Sequence, residues 1–136
     1  MKTEESKAIV KAWFDKLAVG DAEAAFALFS PDCVYILQGT TPVSGTYRGM
    51  PAIMGDFFGP WRTRIDGPLT LALGELIGEG ERVVALARGS AKTVLGKPYD
   101  NDYAFVFRVR GGKIVEVNEF LDTVLVETAA YGKRLV

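Results

Sequence analysis

The chain has 136 residues, 49% of them hydrophobic and 24% charged, a balance that gives one globular domain with a real core and excludes disorder. Sixteen basic against seventeen acidic side chains leave a net charge of −1, which speaks against a nucleic-acid surface, and no apolar run reaches membrane-spanning length. Histidine is absent and cysteine occurs once, which excludes Ser-His-Asp and Cys-His catalysis, imidazole metal sites and an internal disulfide.

Residues 4–18 carry Ile9, Val10, Trp13, Phe14 and Leu17 at three- and four-residue spacing, the period of an amphipathic helix. Glu4 and Glu5 suit the positive end of its dipole, and Gly20 ends it. Asp21 caps a short second helix with Ala22, Ala25, Phe26, Leu28 and Phe29, which Ser30-Pro31-Asp32 breaks. Residues 33–38 read as a strand, opened by a Cys33 expected to be buried and inert. A loop follows to Gly49. Residues 50–59 predict a third helix with Met50, Ile53, Met54, Phe57 and Phe58 on one face, and GPWRTRIDGP reads as irregular.

From residue 69 the period switches from helical to alternating. Residues 69–77, 82–94, 101–110 and 113–126 read as four successive strands, joined by short glycine-rich connections of the antiparallel hairpin type. Helices followed by a meander make an α+β layout. The charged N-terminal segment lacks the apolar stretch of a signal peptide, which points to a cytoplasmic protein. There is no phosphate-binding glycine loop and no carboxylate cluster of the DxDxDG kind, so neither an organic cofactor nor a metal is expected.

Three stretches, AWFDKLAVGDAEAAFALFSPDCVY, SGTYRG and YDNDYAFVFRVRGGKIVEVNEFLD, resemble the nuclear-transport-factor-two-like superfamily, in its SnoaL-like and ketosteroid-isomerase-like branch. The resemblance spans nearly the whole chain, residues 1–136 as a single domain. It implies a cone-shaped barrel, with three N-terminal helices packed on a strongly curved, mostly antiparallel sheet around a pocket. It also implies a homodimer through the outer sheet face, where Ala104, Val106, Asn118 and Phe120 are apolar enough to need covering. That superfamily hosts isomerases, cyclases, hydrolases, dehydratases and pure binding proteins, so the function rests on the site. The three catalytic positions of ketosteroid isomerases match Tyr35-Ile36-Leu37, Trp13 and about Phe105, none of which carries the required group. The aspartate and helper histidine of the SnoaL cyclases are missing as well.

Strand alternation, oriented by the resemblance, turns three rows inward: Asn101, Tyr103, Phe105 and Phe107; Val115, Val117, Glu119 and Leu121; and Leu86, Arg88 and Ser90. The pocket then has a polar band of Arg88, Asn101, Tyr103 and Glu119. Trp13, Leu17, Tyr35, Leu37, Met54 and Phe57 complete apolar walls, the pattern of a small-molecule site. Glu119 is the candidate acid or base, its pKa raised by the pocket, with Tyr103, Asn101 and Arg88 orienting a substrate or stabilising an oxyanion. Its other reading is a structural ion pair with Arg88. A one-residue slip in register would invert every face assignment. The expected partner is a small hydrophobic molecule, and the expected activity a cofactor-independent isomerase, cyclase or lyase acting on a hydrophobic carbonyl compound. The alternatives are an epoxide-hydrolase-like enzyme, a non-catalytic binder of an apolar metabolite, and a structural dimer with a vestigial pocket.

Overall fold

A computed structural model describes residues 2–136. Helix α1 (Lys2–Ala18) buries Val10, Trp13 and Phe14. Its start is held by a tertiary bond: the Thr3 hydroxyl accepts from the Gly80 amide at 2.9 Å. After Gly20 (φ 78°), the Asp21 carboxylate caps α2 (Ala22–Phe26) by accepting from the Ala24 amide. This helix stops before Leu28 and Phe29, which the sequence pattern had included. Phe29 instead begins strand β1 (Phe29–Leu37), because its neighbour Leu28 accepts from the amide of Ile114 and Phe29 pairs with that residue in the last strand. A long-range pairing outweighs a local helical pattern here.

The segment read as a loop contains a short edge strand, β2 (Gly45–Arg48), antiparallel to β1. The third helical region is longer than the pattern predicts and comes in three consecutive pieces: α3 (Met50–Ala52), a π-helical stretch (Ile53–Phe58) and α4 (Gly59–Arg62). The Gly59 amide bonds the Met54 carbonyl, and a Cβ at Gly59 would lie 2.8 Å from that oxygen, so the widened turn requires glycine.

Strands β3 (Ile65–Glu79), β4 (Arg82–Thr93), β5 (Pro98–Arg110) and β6 (Lys113–Phe120) form the meander. The last strand ends earlier than its alternation suggests. Asp122 accepts from the Leu125 amide and starts α5 (Thr123–Leu125), which continues as a π-helical turn (Val126–Ala130). The six strands form one sheet in the order β2-β1-β6-β5-β4-β3. Only β1 and β6 run parallel. The fold is α+β, and the sheet curls around α1 and the third helical region as an open cone. Bulges in β1, β3 and β6 supply part of that curl. Among the described residues, no helix is long and apolar enough to cross a membrane.

The inner face of β5 is the row from Tyr99 through Asn101, Tyr103, Phe105 and Phe107, all buried. Two other rows differ from expectation. In β6, Val115 is the extra residue of a bulge opposite Arg108 and Val109, so Ile114 takes the inward place assigned to Val115. In β4 the inward row is Val83, Ala85, Ala87 and Gly89, one residue out of phase with the expected Leu86, Arg88 and Ser90. Residues paired across antiparallel strands share a face, and Ala85 faces Phe105 while Ala87 faces Tyr103. On the outer face, Leu86 and Phe120 are 40% and 45% exposed.

Candidate functional site

Between the inner sheet face and the helices lies a cavity of about 600 Å³. Trp13 and Leu17 enter it from α1, Met54, Phe57 and Phe58 from the π-helical stretch, and Tyr35, Leu37, Tyr103, Phe105 and Glu119 from the sheet. Leu121 lies just beyond β6 in the same wall. Gly20, Ala22, Gly59, Arg62 and Pro68 are exposed lining residues and make the rim. The interior is mostly aromatic: the Tyr35 and Phe57 rings lie 5.2 Å apart, Tyr103 stacks on Phe105 at the same centroid distance, and Trp61 meets Tyr99 edge-on at 5.1 Å.

Glu119 is the one carboxyl group among the described residues that line this cavity. It is 6% exposed. The Tyr35 hydroxyl donates a hydrogen bond to its Oε1, joining β1 to β6. Burial pushes the Glu119 pKa up to about 7, and the bond from Tyr35 opposes part of that rise. Burial, then the charge of Glu119, holds the Tyr35 phenol well above its ordinary value, so it remains a donor. The second carboxyl oxygen receives no hydrogen bond from the described residues.

A second polar group lies on β5. The Tyr99 and Tyr103 hydroxyls are 2.7 Å apart. Asn101 Oδ1 accepts from the Asp122 amide at 3.2 Å, which fixes the amide orientation, and its Nδ2 donates to the Tyr99 hydroxyl and to the Asp122 carbonyl at 3.0 Å each. The two phenols own two hydroxyl hydrogens and share one bond. One hydrogen is therefore left over on the cavity wall, with no protein acceptor among the described residues. Burial lifts the Tyr103 pKa far above its usual value and that of Tyr99 to about 12, so both stay protonated near neutrality.

The structure thus brings Glu119, Tyr103, Trp13, Tyr35, Leu37, Met54, Phe57, Phe105 and Leu121 to one cavity. Asn101 is buried but stands behind the wall, where it holds Tyr99 and the turn at Asp122. Arg88 is elsewhere. Opposite Asp102 in the ladder, it points to the outer face and bonds that carboxylate at 2.9 Å in an exposed pair. The alternative reading, a Glu119–Arg88 ion pair, does not form: Arg88 pairs with Asp102 and Glu119 bonds Tyr35. The cue in the sequence was volume rather than polarity: Ala85, Ala87 and Gly89 are small because Phe105 and Tyr103 overlie them. A Cβ on Gly89 would come within 2.7 Å of the Tyr103 ring. Sequence reasoning missed Tyr99, two residues before Asn101 on the same row, and Trp61, which lies in the stretch read as irregular. Cys33 is fully buried, and burial raises its thiol to about 12, as an inert core residue requires.

Trp13 Nε1 is buried without a hydrogen-bond partner among the described residues. Its indole sits among the rings of Phe14, Phe26, Phe29, Phe105 and Phe107 at 5.0–6.2 Å, so aromatic faces are what surrounds it.

A family model described as a SnoaL-like domain matches residues 10–117. An uncharacterised protein of Mycobacterium tuberculosis is 27% identical over 113 residues, covering 82% of this chain and 85% of its own length. An NTF2-like protein of Burkholderia thailandensis superposes with a TM-score of 0.82 at 31% identity, over 95% of this chain and 98% of its own. A protein from a soil-derived mobile gene cassette superposes at 0.83 with 20% identity, over 96% and 99% of the two chains.

Proposed function

We propose, for a chain that belongs to the SnoaL-like domain family, that the cavity binds a small hydrophobic carbonyl compound on which Glu119 moves a proton. The observation that carries this reading is geometric: a single buried carboxyl group among the described residues lining an aromatic cavity, with one oxygen unengaged and a burial that raises its pKa to about 7. An acid that is half ionised near neutral pH is suited to take a proton and give it back. With the ketone oxygen accepting the spare hydroxyl hydrogen of the Tyr99–Tyr103 pair, the carboxylate removes a proton from the adjacent carbon, and the enolate charge falls on that oxygen. Returning the proton elsewhere gives an isomer, expelling a β-substituent gives an elimination, and attack of the enolate on a second carbonyl gives a ring. None of these steps needs a cofactor.

An epoxide-opening relay of two acids and an arginine is disfavoured: one carboxyl lines the cavity, and Arg88 is outside it. A non-catalytic binding role uses the same walls and differs only in what Glu119 does. Proton exchange at the α-carbons of 2-tetralone, followed in D2O by NMR, separates the two. We expect the protein to accelerate the exchange and Glu119→Gln to abolish the acceleration while the ketone still binds. Equal exchange by the two proteins would remove the proton-transfer role and leave a binding pocket.

A further inference from the structure

The rim of the cavity carries chemistry that the proton-transfer site does not use. Arg62 is the one cation among the described residues that line the cavity, and it is exposed at the end of α4. Its Nη1 reaches the carbonyls of Ile65 and Gly67 at 3.5 and 3.3 Å, long contacts that position the guanidinium without neutralising it. The arginines of the outer sheet face are differently placed: Arg82, Arg88, Arg108 and Arg110 each lie beside a carboxylate. Its near neighbour Arg64 is committed too, bonding the Ala130 carbonyl at 2.8 Å and lying over the Tyr131 ring. The guanidinium of Arg62 therefore keeps most of its donors for something that enters the cavity.

The arrangement is polar from end to end. An acid sits on the floor, aromatic rings line the middle, and a cation stands at the mouth. An anionic group carried inward would meet the like charge of Glu119 and lose its water among apolar side chains. The same group held at the mouth keeps its water and gains a planar, fork-shaped donor suited to a carboxylate.

Resting on the reading of the cavity as a ligand site, we infer that the ligand is an amphipathic carboxylic acid, and that Arg62 selects and orients it by pairing with the carboxylate at the rim while the apolar body and its ketone reach inward. Arg62 is then a specificity residue and takes no part in proton transfer.

A pair of probes with the same body tests this. Binding of 2-naphthylacetate and of neutral 2-naphthylacetamide is read from quenching of Trp13 and Trp61, both in the cavity wall. At pH 8 and low salt we expect the acid to bind roughly fivefold tighter than the amide, the upper range for a solvent-exposed ion pair. Arg62→Gln should remove the preference by weakening the acid far more than the amide, and Arg62→Lys should retain part of it. The preference should also shrink in high salt. Equal binding of the two probes by the unaltered protein, or a preference that survives Arg62→Gln, would overturn the assignment of Arg62 while leaving the cavity a ligand site. If neither probe binds, the ligand-site reading falls and takes this inference with it.

Discussion

At the scale of single residues, Glu119 is set by two opposing influences. Burial favours its protonated form, and the Tyr35 hydroxyl favours the ionised one, with burial the larger. The carboxyl signal, followed by infrared or carbon NMR with selective labelling, should titrate with a midpoint near pH 7. Tyr35→Phe removes the group that stabilises the anion, so the midpoint should move upward; a downward move would show that Tyr35 is not the donor. The same balance makes folding stability depend on pH. The folded-state value near 7 lies above the ordinary 4.5, so native and unfolded chains are both protonated below about pH 4.5. Between the two values the unfolded chain loses its proton first, and the contribution to stability falls as pH rises, levelling off above about pH 7. The span amounts to about 3 kcal/mol at most. Urea unfolding at pH 5 and pH 8 should therefore show a larger loss for the unaltered protein than for Glu119→Gln; parallel losses would contradict the burial of this acid.

At the scale of elements, the pairing of β4 with β5 decides the shape of the wall. The row Ala85, Ala87 and Gly89 leaves room for the Phe105 and Tyr103 rings, and the tightest place is Gly89. Gly89→Ala should cost roughly 1–3 kcal/mol of stability by denaturant unfolding, since a rigid ring in a packed wall has to shift. Unchanged stability would mean that Tyr103 moves freely. The sequence made β5 and the end of β6 legible because their alternation is strong, and with the resemblance choosing the inward face it found Tyr103 on the one and Glu119 on the other. It hid β4, where Leu86 and Val84 look like the core row and are the outer one; the residues that face inward are too small to advertise themselves. Strand β2 was hidden because an edge strand of Gly45, Thr46, Tyr47 and Arg48 has no apolar alternation. The helical end after Asp122 was hidden because Val124 and Val126 continue the strand parity through the cap. Arg62 belongs to a stretch with no readable period at all, and only the fold brings it to the cavity.

At the scale of the molecule, the outer sheet face is the unfinished surface. Leu86, Ala104 and Phe120 stand side by side across β4, β5 and β6, next to a second row of Val84, Val106 and Asn118. We propose that a second copy of the chain covers it, the copy's own row meeting this one across a two-fold axis. Sedimentation equilibrium should give twice the 14.8 kDa chain mass, and Phe120→Glu should shift the population toward monomer. A monomer at micromolar concentrations from the unaltered chain would dismiss that arrangement. The other organising feature is the seam where β1 and β6 run parallel. Tyr35 and Glu119 meet across it although they are 84 positions apart in sequence, so their bond closes most of the chain into a loop. Such closure is slow, because the entropy of a long loop is lost before its contacts form. Because β6 lies between β1 and β5, a growing polypeptide on the ribosome has its sheet in two unjoined parts until that strand is made. The Tyr35–Glu119 pair comes into being only with the last strand, in the same event that completes the sheet, and a chain cut short before β6 has neither.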